Sequence, residues 1–245
     1  MNFYATIHPW YDQIFPFAMA QRDFVLSFGS GPELELVDVG CGTGSLLVSL
    51  AGSFGRCTGL DPDEEMLAGA RAKADSAGVP IRLMPGGMLD LDREFAPGSV
   101  DRLICFGNTI PHLESPEQVD HFLRQAASVL RPEGMILLQI IHFRRIFDQE
   151  LPGLPTLEND QVRFVRNYHY TLPDPGVIRF HTILTIKESG QVIENDIPLL
   201  ALSLEQLSEA LGKAGFSDLQ TFGSFTRDPF SADSIPLILT SRVSG

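Results

Sequence analysis

The 245-residue chain reads as an α/β protein: a doubly wound, mostly parallel seven-stranded sheet with an antiparallel β insertion after strand five. Two observations predict this. Between Leu34 and His142, apolar runs of strand length alternate with stretches of helical length, the order that builds a parallel sheet covered by helices. From about Arg145 the pattern changes to neighbouring β-rich runs broken by Pro/Gly/Asp turns, the order of an antiparallel meander.

The elements follow in order. Trp10, Ile14, Phe17, Phe24, Val25 and Phe28 recur at helical spacing and predict one or two helices, closed by the turn Gly29–Pro32. Leu34–Val39 is the first strand, followed by a Gly-rich turn and a helix over Ser45–Ser53. Arg56–Leu60 is the second strand. Pro62 then opens a helix to about Ala77, since proline at the first helical position gives up only an N–H that would be unpaired anyway. Ile81–Met84, Val100–Phe106 and Met135–His142 supply three more strands, with a helix over Pro116–Leu130 before the last. Val162–Tyr170, Val177–Lys187 and Gln191–Leu199 are the three runs of the meander, the first two separated by the turn Leu172-Pro173-Asp174-Pro175-Gly176. Ser203–Ala214 reads as an amphipathic helix with Ser203 as N-cap and Gly215 as terminator. Phe216–Phe225 and Ile235–Arg242 close the sheet. With no repeat or long linker, the chain is expected to be one domain: an N-terminal helical lid over 1–30, a core over 31–143, the insertion over 145–200, and a closing helix and strands over 201–245.

Composition narrows the partners. A net charge of −13, with no Lys/Arg cluster, opposes binding to nucleic acid phosphates and suits a small-molecule substrate. Cys41, Cys57 and Cys105 form no CxxC pair, which points to reduced thiols and a cytoplasmic location. The N-terminus lacks a basic, apolar signal pattern, and no run of eighteen apolar residues predicts a membrane span. The histidines show no metal-ligand spacing, so no metal is expected. A homodimer is one assembly open to such a chain.

The strongest chemical signal is Val37-Asp38-Val39-Gly40-Cys41-Gly42-Thr43-Gly44, between a strand and a helix. Glycines let the backbone turn sharply and let a ligand lie directly on it, and the following helix offers unpaired N–H groups. The spacing is GxGxG rather than the GxGxxG of dinucleotide binders. The second signal is Asp61, in Gly59-Leu60-Asp61-Pro62-Asp63, at the end of the second strand, where an acid can hold both ribose hydroxyls.

Together these segments resemble the class I S-adenosylmethionine-dependent methyltransferases, which have a Rossmann-like fold. Asp101-Arg102-Leu103-Ile104-Cys105-Phe106, Leu130-Arg131-Pro132-Glu133-Gly134-Met135 and Ala214-Gly215-Phe216 extend the likeness. The resemblance implies S-adenosyl-L-methionine as cofactor and S-adenosyl-L-homocysteine as product. It implies that Asp38, Gly40, Cys41, Gly42 and Gly44 line the methionine portion, that Asp61 and Pro62 meet the ribose, and that Met66 packs near the adenine. Where the family often has an acid bonding the adenine amine, this chain reads Gly86-Gly87-Met88-Leu89-Asp90, so adenine recognition is expected from Met88, Leu89 or Asp90. Phe106 and Gly107 would follow the fourth strand beside the methyl group. Cys105-Phe106-Gly107-Asn108-Thr109-Ile110-Pro111-His112-Leu113 is similar to a stretch of the glycine and sarcosine N-methyltransferase group, implying that Asn108 orients the acceptor and His112 contacts it or takes its proton. Tyr11-Asp12 and Phe15-Pro16 belong to the expected lid, with Tyr11 a further candidate catalytic residue. Asn108 and His112 can equally cap a turn or helix. The expected reaction is methyl transfer to a nitrogen or oxygen of a small molecule. A nicotinamide-dependent oxidoreductase and a non-catalytic protein that binds the same cofactor are the alternatives.

Overall fold

A computed structural model describes residues 6–171 and 176–244. The Leu172–Pro175 part of the expected turn and the first five residues of the expected lid lie outside the described residues. The chain begins with a 3-10 turn, His8–Trp10, and the helices α1 (Tyr11–Ile14) and α2 (Met19–Leu26). There follow β1 (Gly31–Val39), α3 (Ser45–Leu50), β2 (Phe54–Asp61), α4 (Glu64–Ala77), β3 (Arg82–Pro85), α5 (Leu91–Glu94), β4 (Val100–Cys105), α6 (Pro116–Val129) and β5 (Leu130–Ile141). After α7 (Phe143–Asp148) come β6 (Gly153–Glu158), β7 (Val162–His169), β8 (Val177–Ile186) and β9 (Val192–Leu200). The last elements are α8 (Leu204–Lys213), β10 (Phe216–Phe222) and β11 (Pro236–Val243).

Seven strands form the main sheet in the order β10-β11-β5-β4-β1-β2-β3. β1 to β5 are mutually parallel where they pair, and β11 runs antiparallel to both β5 and β10. Side chains alternate between its faces, as the pleat requires. Leu36, Ile104, Leu137 and Ile238 pack on one face with Phe24 and Leu47. Val37, Leu103, Leu138 and Leu239 pack on the other with Phe122 and Leu207. Both faces are therefore buried, which is why the strands read as continuous apolar runs. Strand order reverses beside β1, with β2 on one side and β4 on the other. That reversal opens a crevice above the carboxyl ends of β1 and β4, where ligands of such sheets bind.

Two of the departures from expectation have local reasons. Pro62 lies ahead of α4 rather than inside it, because Asp63 is the N-cap: its Oδ1 accepts the backbone N–H of Glu65 at 3.0 Å and of Met66 at 3.2 Å. The meander has four strands, in the order β6-β7-β8-β9, instead of three. The additional strand, β6, contains Pro155, which reads against a strand but is tolerated at an edge, and β6 is an edge of this sheet.

The register of the second sheet sorts its buried face into rows. Phe164 opposes Leu184, which opposes Ile193; Tyr168 opposes Phe180, which opposes Ile197. Between these apolar rows, Arg166 opposes Thr182, which opposes Asn195. Tyr168, Ile178 and Leu199 join the core of the main sheet, while Val162, Phe164 and Leu184 pack against Ile7 and Ile14 of the N-terminal segment. The Phe15 and Phe164 rings meet edge-on at 5.7 Å. The insertion thus holds the N-terminal segment over the crevice.

Candidate active site

The loop leaving β1 turns on glycines in the left-handed region. Gly40 has φ +75° and Gly42 φ +54°, and a Cβ on Gly40 would sit 2.6 Å from the Thr109 methyl. Only glycine takes up both the turn and this approach without strain. The Gly40 and Cys41 N–H groups donate to the Leu60 carbonyl at 2.8 and 3.0 Å, fixing the loop against β2.

That tie brings two carboxylates under the loop. Asp61 Oδ2 accepts from Gly42 N–H at 2.8 Å and Oδ1 from Asp63 N–H at 3.0 Å. Both oxygens are oriented by backbone, and each keeps lone-pair capacity for a ligand hydroxyl. Burial raises the Asp61 pKa, against the opposing pull of those backbone donors. Asp38 is 4% exposed, and burial, followed by the Asp61 charge, pushes its pKa up to about 7. Burial also holds the Cys41 thiol well above its ordinary value, reinforced by Asp38 and Asp61. Among the described residues, neither influence on Asp38 is a cation.

The opposite wall follows β4. Gly107 N–H donates to Gln139 Oε1 at 2.8 Å, and the Thr109 hydroxyl donates to the Phe106 carbonyl at 2.7 Å. Asn108 stands at φ +65°, and its Oδ1 accepts the Ile141 N–H at 2.8 Å. The 3-10 turn Ile110–His112 presents His112 to the crevice. Burial lowers the His112 pKa to about 4, so the ring is neutral at physiological pH.

The N-terminal segment closes the crevice from above. Tyr11 lies against Gly42, 3.2 Å from where a Cβ on that glycine would stand, and burial, then Asp61, raises its pKa. Asp12 pairs with Lys73 of α4 at 2.5 Å and accepts from the Thr43 hydroxyl at 2.6 Å and the Ser45 hydroxyl at 3.2 Å. Lys73 in turn donates to both hydroxyls at 2.6 Å. Burial alone would raise the Asp12 pKa, but these partners outweigh it and lower it. The cavity, partly open to solvent, measures about 770 Å³, within the roughly 300–1,000 Å³ of small-molecule sites.

Of the expected site residues, Tyr11, Asp38, Gly40, Cys41, Gly42, Asp61, Pro62, Met66, Met88, Phe106, Gly107 and His112 line this cavity. Asn108, Gly44 and Leu89 do not. Asn108 spends its amide oxygen on β5, and Gly44 is the N-cap of α3, against Ala70. Leu89 packs against the core of the main sheet instead, and Asp90 turns back to accept from Gly87 N–H at 2.8 Å and to pair with Arg93 at 3.1 Å. Sequence reasoning missed Thr109 as a wall residue, and Leu157, Asn195 and Ile197, which the insertion brings in. Alternation along β9 could have placed Asn195 and Ile197 on one face, but nothing local says which face meets the cavity.

Three comparisons bear on this arrangement. Residues 36–134 match the family model of a methyltransferase domain. A protein of Geobacillus sp. (strain WCH70), provisionally named a methyltransferase, is 25% identical over 94% of this chain and 96% of its own length. A dTDP-3-amino-3,6-dideoxy-alpha-D-glucopyranose N,N-dimethyltransferase of Streptomyces fradiae is 28% identical over 75% of this chain and 70% of its own. The crystal structure of an S-adenosylmethionine-dependent methyltransferase from Clostridium acetobutylicum superimposes with a TM-score of 0.83 over 100% of both chains at 15% identity, showing the same fold. Residues 36–134 thus match a methyltransferase domain, and the chain shares the fold of S-adenosylmethionine-dependent methyltransferases of known structure.

Proposed function

We propose that the chain transfers a methyl group from S-adenosylmethionine to a nitrogen or oxygen of a small molecule held in the 770 Å³ cavity. The observation that carries this reading is the buried pair Asp38 and Asp61, beside a glycine loop and, among the described residues, with no cation acting on Asp38. Two carboxylates so placed suit a ligand that brings positive charge and vicinal hydroxyls. When bound, S-adenosylmethionine supplies a sulfonium-activated methyl group for in-line displacement.

In this reading Asp38 and the Gly40–Gly42 loop hold the amino-acid end of the cofactor, and Asp61 accepts from the ribose hydroxyls. Pro62 lies beside the ribose, Met66 and Met88 bound the adenine end, and Phe106 and Gly107 flank the methyl group. Neutral His112 accepts a hydrogen bond or proton from the acceptor, and Tyr11 covers the reacting centre. The N-terminal segment acts as a lid, latched by Asp12 to Lys73, and the core shared by the main sheet and the insertion supports a one-domain division of the chain. Position, orientation and exclusion of water then provide most of the rate. The amino-sugar activity in the Streptomyces fradiae relative's name supports an acceptor of small-molecule size.

The net charge of −13 favours such an acceptor over nucleic acid. No described helix is long and apolar enough to cross a membrane. The three free cysteines support a cytoplasmic setting, and a homodimer is an assembly to be tested by sedimentation.

Calorimetric titration with S-adenosylmethionine, S-adenosylhomocysteine and NAD tests the reading, with Asp61→Ala alongside. Binding of both sulfur nucleotides, weakened in the variant, is the expected result. Binding of NAD alone would overturn it in favour of an oxidoreductase. Binding of the sulfur nucleotides with no turnover across amine and hydroxyl acceptors would favour the non-catalytic alternative.

A further inference from the structure

A second cleft, of about 350 Å³, shares strand β6 with the main cavity: Leu154, Pro155 and Thr156 line the cleft, and Leu157 lines the cavity. Arg145 of α7 and Arg166 of β7 both face it. Six Lys and Arg side chains fall in the described part of residues 143–200, and four of them pair with carboxylates. Arg144 pairs with Asp148, Arg163 and Lys187 with Glu158, and Arg179 with Asp196. Arg145 and Arg166 have no such partner among the described residues, and each has a buried Nε without a hydrogen-bond acceptor. Arg166 donates one bond, to the Pro155 carbonyl. Burial lowers its pKa, with the Tyr168 phenol opposing.

In a chain of net charge −13, two guanidiniums line one cleft with no carboxylate pairing with either among the described residues. A buried, unmatched guanidinium N–H loses its water without replacement, unless a ligand supplies the acceptor. The planar fork of arginine fits the paired oxygens of phosphate or carboxylate, and two positive charges match a phosphate dianion better than a single carboxylate. Arg166 also begins the polar row that continues through Thr182 to Asn195, and Asn195 lines the main cavity. Thr182 Oγ1 and Asn195 Nδ2 are likewise buried without a partner. Directly opposed residues lie roughly 5 Å apart at Cβ, so the row spans about 10 Å, within reach of one small molecule.

We infer that this cleft binds a phosphate-type oxyanion carried by the methyl acceptor, held by Arg145 and Arg166. The inference rests on the proposed methyl transfer for the identity of the ligand, but the anion site can be tested without it. Calorimetry on the full chain would use inorganic phosphate, glucose 1-phosphate and acetate, with Arg145→Gln and Arg166→Gln alongside. The expected result is saturable binding of both phosphates, with glucose 1-phosphate the tighter, weakened at least tenfold in each variant. S-adenosylmethionine affinity should stay at the parent value in both. If Arg166→Gln melts below the working temperature, Arg145→Gln decides alone.

No saturable phosphate binding, or binding unchanged by substitution, would overturn the site. Acetate binding as tightly as phosphate would overturn the phosphate class, and inorganic phosphate binding more tightly than glucose 1-phosphate would overturn its attachment to a larger acceptor. Failure of the parent protein to bind S-adenosylmethionine would count against the proposed function instead.

Discussion

Raising the pH from about 6 to about 8 should tighten cofactor binding, and Asp38 is the reason. In the ligand-free protein its pKa is pushed up to about 7 by burial and by the Asp61 charge. The carboxyl is thus about one-tenth ionised near pH 6 and about nine-tenths ionised near pH 8. A ligand with an ammonium and a sulfonium group binds the carboxylate, so each binding event at low pH must expel a proton. Apparent affinity should then improve roughly tenfold across this interval, about 1.4 kcal/mol. The sign for stability is the reverse. An acid whose folded pKa is raised disfavours the folded state as pH climbs from its unfolded value near 4 through about 7. Asp38→Asn should therefore raise the melting temperature of the ligand-free protein near pH 8, while weakening cofactor binding and flattening its pH dependence. Calorimetry in two buffers of different ionisation enthalpy measures both the affinity and the protons released. Affinity independent of pH over this range, or the same slope in Asp38→Asn, would refute the reasoning.

Three further outcomes follow from the site. Asn108→Ala leaves the Ile141 N–H without its acceptor and replaces, at φ +65°, a residue that tolerates the left-handed region with one that does not, each costing about 1 kcal/mol. Its melting temperature should fall by roughly 4–8 °C, and Asn108→Gly, which relieves the backbone strain, by about half as much; equal melting of all three proteins would show that Asn108 has no structural role. Asp12→Ala removes the lid's pairing with Lys73, which is partly exposed on both sides, so cofactor affinity should weaken by about fivefold. High salt should bring the parent protein toward the variant, and an unchanged cofactor off-rate in stopped flow would take the latch out of the mechanism. His112 is neutral above about pH 4, so it can act as a base without the usual histidine limb near 6.5. With a hydroxyl acceptor, His112→Gln should lower kcat by roughly 10²–10⁴, and an unchanged kcat there would remove it as the proton acceptor; with a neutral amine the loss should be small.

Much of the fold and half of the site were legible because they are local. The glycine loop, Asp38 and Asp61 lie within a short stretch of strand, turn and strand. A left-handed turn between apolar runs can be recognised without knowing what packs on it. The same holds for the Ser203 cap, whose hydroxyl accepts from Gln206 N–H at 3.2 Å. The mostly parallel, seven-stranded sheet followed from alternating strands and helices, since parallel strands need such crossovers.

What the sequence by itself determined about this protein is therefore the glycine loop and the two carboxylates beside it. Only the tertiary structure decided which other residues wall the cavity. Asn108 looked like a substrate ligand because it follows β4, but β5 takes its amide oxygen through Ile141, 33 residues later. Asp12 meets Lys73, and Asn195 reaches the cavity, through contacts between segments that share no local pattern. β6 hid behind its proline until its place at the sheet edge made that proline acceptable. A turn or cap is encoded by the residues that form it. A wall shared by a lid, a parallel sheet and an inserted meander is set by which apolar faces bury one another, and that is a property of the assembled chain.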